Sequence, residues 1–413
     1  MTMSSGSDKI YSYLSSLGAR PVYSVPEESA IDSKVGVEVS TSKVQPLHVF
    51  DLDLESYVNV HDGLRWKYFV DGVKRSILFE VTIDSIRVPF VLSHIIVGAT
   101  RLRGSKLHPY KFYEAKVLIA PFSALRMYAS ANNIDFDLPQ LPFLDYRGQI
   151  LDKVQSNHEF LSDTTLSLED PPRRKVELVD LHAPGKLRGF ASSRSLAIMR
   201  ILELGVIWDI IKDGVEGFVL LDGPLLLILK YSRLVTDELM GLQDVTNRTL
   251  AYDVLSKVVS AVKTIEVIPG GAIETVTTSP PNVLRIPIYK TSDFVNDRMA
   301  SYFLSAFIWL RRELSQQLST IISPTSGIIR LDIPFPAIVD MNEKWFERDY
   351  KLDILSTLKY KKLTQIICEA IRNRWPVPPL VDYHRLLVEY YHIRETEYWL
   401  RSKLTPVPQL LGY

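Results

Sequence analysis

Hydrophobic and polar positions change their spacing several times along the chain, and each change marks an expected element. Over residues 1–60, Ser, Val and acidic residues mix without a clear period, which reads as an N-terminal extension holding one or two short elements. From Trp66 the pattern turns apolar. Residues 68–70 (YFV) form a short apolar run that stops at Asp71-Gly72. Residues 77–83 (ILFEVTI) and 88–97 (VPFVLSHIIV) are rich in β-branched side chains and closely spaced, so the pattern predicts a three-stranded antiparallel meander.

Residues 101–111 (RLRGSKLHPYK) are basic, and up to about residue 190 a helix near 123–132 alternates with Pro-rich and charged stretches. This composition predicts an inserted segment of loops and short helices. Ser192 or Ser193 is the expected N-cap of a helix running to Lys212. Residues 218–221 (FVLL) then form an apolar strand ending at Asp222-Gly223-Pro224. Beyond it the spacing predicts a helix over 248–262 and strands at 263–268, 283–289 and 327–333. Further helices are expected at 295–318, 351–374 and 380–401, and no internal repeat is evident.

Two of these elements share one local logic. In YFVDG and VLLDG, an apolar strand delivers an aspartate at its end and a glycine follows. If the strands are neighbours, Asp71 and Asp222 meet, and two close carboxylates repel unless a cation lies between them. A hard divalent ion with oxygen ligands meets that need, although Asp-Gly after a strand is also an ordinary turn. Glu203 adds a third acid. It lies on the face of its helix that carries Leu196, Met199, Val206, Ile207 and Ile210. A buried carboxylate must be paired, protonated or metal-bound, so the alternative is an internal ion pair with Arg200 or Lys212.

A meander with an acid on its first strand, then a helix bearing Glu, then a strand ending in Asp, is the order of an RNase H-like fold. In that fold the three acids converge on divalent ions that serve phosphodiester hydrolysis. The expected fold class is therefore α/β: an RNase H-like mixed sheet flanked by helices, with an inserted segment and a helical C-terminal part. The expected domain is 61–413, with its core at 61–100 and 190–413 and the insertion at about 101–190.

The blocks FVDGVKRS and FVLLDGPL resemble the two signature strands of the NurA nucleases, and Glu203, 19 residues before Asp222, sits where that family carries its helix acid. GIIRLDIPFP is similar to its late strand, and WPVPPLVDYH to the C-terminal segment that leads to a His. The resemblance spans residues 66–392, with gaps in the insertion. It departs at Val73, where the family has a small hydroxyl residue, and at the extra proline of Pro378-Pro379, which bears on Trp375. The resemblance implies a Mn²⁺- or Mg²⁺-dependent DNA nuclease acting on DNA ends, with Asp71, Glu203, Asp222 and His384 as catalytic and metal-holding residues. It also implies a homodimer and a HerA-type hexameric ATPase as partner, in end resection or in defence against foreign DNA.

Composition narrows these expectations. Acidic and basic residues balance at 48 each, so DNA is not wrapped over the whole surface but held on a local basic path. Candidates are Arg65, Lys67, Lys74 and Arg75 around the first strand, then Arg101, Arg103 and Lys106, with Lys263 as a further phosphate contact. Trp66 and Tyr68 are either base-stacking or core residues, and Asp332 reads as an outer-face strand acid. Cys368 is the one cysteine, which excludes an internal disulfide and a cysteine-based zinc site. The first residues lack a signal-peptide core, and Asp222, Gly223 and Pro224 break the longest apolar run, so a cytoplasmic protein without membrane spans is expected. There is no phosphate-binding loop, as PGKL at 184–187 lacks its first Gly and its hydroxyl residue. The rival to the nuclease is a catalytically inactive RNase H-like scaffold that binds the ATPase or DNA. A phosphoryl-transfer domain of the same wider class is disfavoured by the missing Gly-rich loops.

Overall fold

The computed structural model describes residues 9–22, 38–40, 44–53, 66–145, 147–168, 173–214, 217–225, 254–263, 265, 267–278, 283–295, 300, 303–309, 328–338, 360–372, 381–382, 387–388 and 390–406. Helix α1 (Lys9–Ser16) leads to β1 (Arg20–Val22), β2 (Glu38–Ser40) and β3 (His48–Asp53). The meander follows as β4 (Trp66–Ile83), β5 (Ile86–Arg103) and β6 (Lys106–Ala120). Then come α2 (Phe122–Ala131), α3 (Arg147–Ser156), β7 (Glu159–Asp163), the long helix α4 (Pro184–Lys212) and β8 (Phe218–Asp222). The remainder contains β9 (Val258–Val262), β10 (Val267–Pro269), α5 (Gly270–Thr277), β11 (Val283–Lys290), β12 (Phe303–Trp309) and β13 (Ile328–Pro334). It ends with α6 (Phe335–Ile338), α7 (Tyr360–Arg372), short strands Val381–Asp382 and Leu387–Val388, and α8 (Tyr391–Arg401).

Among the described residues, eleven strands form one mixed sheet in the order β3-β11-β12-β13-β9-β8-β4-β5-β6-β7, with β1 joined to β4. Within it, β6, β5 and β4 are antiparallel, β8 runs parallel to β4, and β9 runs parallel to β8. That succession, with helices on the sheet faces, is the α/β RNase H-like arrangement expected from the sequence. No helix among the described residues is long and apolar enough to cross a membrane.

The meander is longer than its hydrophobic runs suggest. β4 and β5 pair without a break from Tyr68↔Arg101 to Ile83↔Ile86, so Asp71-Gly72 lies inside an 18-residue strand and is not a turn. The chain reverses at residues 84 and 85, where Asp84 takes a positive φ of 52°, a conformation Asp tolerates better than most side chains. An 18-residue strand extends roughly 60 Å at about 3.3 Å per residue, more than one layer of helices covers. Two cores result. Around the first half of β4 and the second half of β5 the sheet packs on α4. At their far ends Phe79, Val81 and Phe90 pack with Ile10 and Leu14 of α1 and with Phe122 and Leu125 of α2.

Several element assignments change. Residues 101–111 close the β5–β6 hairpin rather than opening a loop-rich segment. Helix α4 begins at Pro184, not at Ser192 or Ser193; proline at the first helical position has the right φ and lacks an N–H that would go unpaired there anyway. Residues 258–262 (VVSAV) and 303–309 (FLSAFIW) are wholly buried strands, although their apolar spacing predicts helices. A fully buried strand shows no alternation, so periodicity alone does not separate it from a helix. Among the described residues of the region expected to be helical over 380–401, Tyr391–Arg401 is helix, while Val381–Asp382 and Leu387–Val388 are paired short strands.

Helix α8 covers β4 and β5 on the face opposite α4. His392 stacks on Phe69 with ring centroids 4.6 Å apart, Thr396 bonds to Thr100 at 2.6 Å, and Leu400 packs with Val73. Beyond the helix, Arg75 Nη1 donates to the Thr405 carbonyl at 2.6 Å, and the Thr405 N–H donates to His94 Nδ1 at 3.0 Å. His94 in turn meets Glu114 through Nε2 at 2.9 Å.

Burial lowers the His392 pKa from 6.5 to about 4. The unfolded chain therefore takes up this proton first as pH falls. Stability from a neutral His392 is present above about pH 6.5 and is lost between there and about pH 4, by roughly 3 kcal/mol in all. In urea titrations across this window, His392→Phe, which keeps a ring against Phe69, should show a shallower acid limb than the wild type.

Candidate functional site

Register brings the two aspartates together. β4 and β8 pair in parallel as Phe69↔Leu220 and Val70↔Leu221, so Asp71 and Asp222 are the next residues on adjacent strands. Parallel partners share a sheet face. Phe69 and Val73, which flank Asp71 at two-residue spacing, both touch α8, so alternation puts Asp71 and Asp222 on the α8 face.

Asp71 is 5% exposed, and its Oδ1 accepts the Gly72 N–H at 2.7 Å. Burial, followed by the charge of Asp222, pushes its pKa well above the usual carboxylate range, while Lys263 opposes the shift and Glu397 of α8 adds to it. Asp222 accepts Lys263 Nζ on Oδ2 at 2.8 Å, and its Oδ1 is buried with no hydrogen-bond partner. The turn after it needs glycine: Gly223 has φ +84° and gives its N–H to the Ala261 carbonyl at 2.9 Å.

Glu203 approaches from the other face. It is fully buried on α4, and a β-carbon on Gly72 would lie 2.5 Å from its Oε1 and 2.8 Å from Met199 Cγ. Gly72 thus has a packing role, since its bare Cα admits the Glu203 carboxylate against the strand beside Asp71. Arg200 Nη1 donates to both Glu203 oxygens, at 2.8 and 2.7 Å, and to the Asp222 carbonyl at 3.3 Å. The ion pair weighed for Glu203 forms with Arg200, while Lys212 lies over the Trp208 ring at 5.0 Å. Burial raises the Glu203 pKa against the opposing influence of Arg200.

Among the described residues, no three His, Cys, Asp or Glu side chains converge as a ready-made metal cage. Arg200 holds Glu203 and Lys263 holds Asp222. The donor set nevertheless suits a hard divalent ion, because Asp71 and Asp222 offer only oxygens and one buried oxygen lacks a partner.

The other sequence candidates are scattered. His384 and Arg65 lie outside the described residues. Lys67 and Lys74 are half-buried on β4, and Arg75 binds the Thr405 carbonyl. Lys263 forms the ion pair with Asp222. Arg101 lies over the Tyr68 ring at 5.5 Å, whereas Arg103 and Lys106 are exposed at the hairpin end. Trp66 and Tyr68 are fully buried core residues, not stacking platforms. Asp332 is also fully buried on β13, paired with Arg330 at 2.9 Å and accepting Ser305 Oγ at 2.8 Å, so it is not an outer-face acid. Sequence reasoning missed Glu397. The spacing of Ile393, Thr396, Leu400 and Leu404 contains the signal for an inward-leaning acid on α8.

No family model and no curated protein matches the chain. The crystal structure of the NurA nuclease from Sulfolobus solfataricus is similar over 85% of this chain and 90% of that one, at 11% identity and a TM-score of 0.26. A likeness of that size carries no argument, so the functional reading stands on the chain's own residues.

Arg200→Met leaves Glu203 buried without its counter-ion, and urea unfolding should show a loss of about 3–5 kcal/mol. Adding Glu203→Gln to that variant removes the stranded charge and should restore most of the loss. An Arg200→Met protein as stable as wild type would show that Glu203 does not need the pair.

Proposed function

We propose that this chain is a divalent-metal-dependent DNA nuclease that hydrolyses phosphodiester bonds at DNA ends, as an exonuclease and also as an endonuclease on single strands. The reading is carried by the Asp71–Asp222 pair: two aspartates side by side on neighbouring parallel strands, with one buried oxygen lacking a partner. A purely structural role gives no reason to bring these acids together, because their mutual repulsion lowers stability.

In this reading Asp71 and Asp222 hold Mn²⁺ or Mg²⁺, with His384 as a further ligand and with Glu203 joining them only on leaving Arg200. When bound, such an ion lowers the pKa of a water and polarises a phosphate oxygen. The chain's own contribution is to fix carboxylate positions by strand register and to exclude bulk water beneath α8. Lys263, Lys67, Lys74, Arg75 and Arg65 supply positive charge for the phosphate backbone. The resemblance of the strand blocks supports a homodimer working with a HerA-type hexameric ATPase in end resection, repair or defence against foreign DNA.

A second reading is a catalytically inactive scaffold that binds the ATPase or DNA. It is favoured by the two cations that occupy Glu203 and Asp222.

The test is digestion of end-labelled linear duplex and single-stranded DNA with Mn²⁺, Mg²⁺ or EDTA, with and without the ATPase and ATP. Wild type should cleave only with metal, and Asp71→Ala and Asp222→Ala should each lose about 100-fold or more with unchanged circular dichroism. Cleavage that survives both substitutions would sink the site. Absence of cleavage by wild type in every arm would leave the scaffold.

A further inference from the structure

We propose that Lys263 is a built-in stand-in for the metal: its ammonium occupies the cation position against Asp222 until a divalent ion displaces it, and the released ammonium then meets a DNA phosphate. The proposal rests on the nuclease reading of the Asp71–Asp222 pair and goes beyond it by giving the site a defined exchange of cations.

Geometry supports the placement. Lys263 is the first residue beyond β9, whose Ala261 is registered against Asp222. Two residues past Ala261 along the strand direction, it returns to the same sheet face. Its Nζ lies 2.8 Å from Asp222 Oδ2, with both side chains only 15% exposed. The turn is braced independently of this contact, since the Gly223 N–H bonds to Ala261 and the Leu225 N–H to Ser260 Oγ at 3.3 Å. Lys263 is therefore not needed to hold the two strands together.

Charge counting gives the sequence of events. Arg200 and Glu203 cancel each other on the α4 side. On the α8 side Glu397 is answered by Arg401 at 2.7 Å, so ionised Asp71 and Asp222 with Lys263 leave one negative charge. A divalent cation turns this into one positive charge, and one phosphodiester anion then cancels it. Without the lysine, loading ends at neutrality and offers a phosphate no net attraction. A lysine suits this role because its ammonium is a point charge on a flexible four-carbon stem, so it leaves one partner and reaches another without moving the backbone.

The exchange requires Lys263→Met to shift metal and DNA affinity in opposite directions. Mn²⁺ affinity, measured by electron paramagnetic resonance titration, should rise about tenfold, because no ammonium competes for Asp222. Affinity for a labelled oligonucleotide in Ca²⁺, measured by anisotropy, should fall at least about fivefold, as for loss of a phosphate contact. In EDTA the variant should melt below wild type, and Mn²⁺ should raise its melting temperature more than it raises that of wild type. Lys263→Arg, which keeps the charge but grips a carboxylate through a planar fork, should bind Mn²⁺ no more tightly than wild type, and Lys263→Gln serves in place of the Met variant if the latter does not fold. A lysine that only braces the strand end would lower both affinities, which overturns the proposal, as does an unchanged Mn²⁺ affinity. If wild type and variant both fail to bind Mn²⁺, the nuclease reading falls too; binding by wild type with no gain in the variant removes this inference alone.

Discussion

Carboxylates forced into proximity by strand pairing repel one another unless positive charge is interposed. At the centre of this sheet the pairing of β4 with β8 imposes that condition on Asp71 and Asp222, and α4 adds Glu203 from behind. The neighbourhood is arranged around it. Arg200 answers Glu203, Lys263 answers Asp222, glycine at position 72 opens the strand to the helix acid, and glycine at 223 turns the chain away. Arg200 and Lys263 are explained by charge balance in a place where water is scarce, Gly72 by the room the Glu203 carboxylate needs, and Gly223 by its positive φ.

The two sheet faces divide the labour. On the α4 side, acid and cation form a closed pair, which fixes the helix against the sheet. On the α8 side the balance is incomplete: two aspartates face one lysine, and a buried oxygen lacks a partner. Glu397 leans toward the same place but carries its own counter-ion, Arg401 at 2.7 Å, so the two aspartates and the lysine set the balance there. An incomplete balance on one face beside a complete one on the other gives the molecule a defined side from which a cation and an anionic polymer enter.

Much of this was legible in the chain, for identifiable reasons. The strand blocks around Asp71 and Asp222 stood out because an apolar run ending in Asp-Gly is a local signal, and Glu203 because it was the lone acid on an apolar helical face. The continuity of β4 through Gly72 was not legible, since Asp-Gly usually marks a reversal and only the partner strand β5 shows otherwise. Strands β9 and β12 were hidden for a different reason: burial on both faces removes the alternation that identifies a strand. Asp332 was misjudged because its burial depends on Arg330 and Ser305, one on its own strand and one on a neighbour 27 residues away in sequence. The cation attached to each acid was readable only for Arg200, a near neighbour of Glu203 on one helix. The pairing of Asp222 with Lys263 depends on which strands adjoin.

The grip on Thr405 has a different kind of consequence. Arg75 and His94 hold its carbonyl and its amide, groups that every residue except proline provides, and leave the side chain out of the contact. What the sheet measures is therefore the length of chain between Leu400 and that peptide unit, not its lettering. The two anchors themselves put no demand on the side chain at this position, but a single inserted or deleted residue would shift the backbone off both of them and loosen the lid that α8 forms over the aspartates.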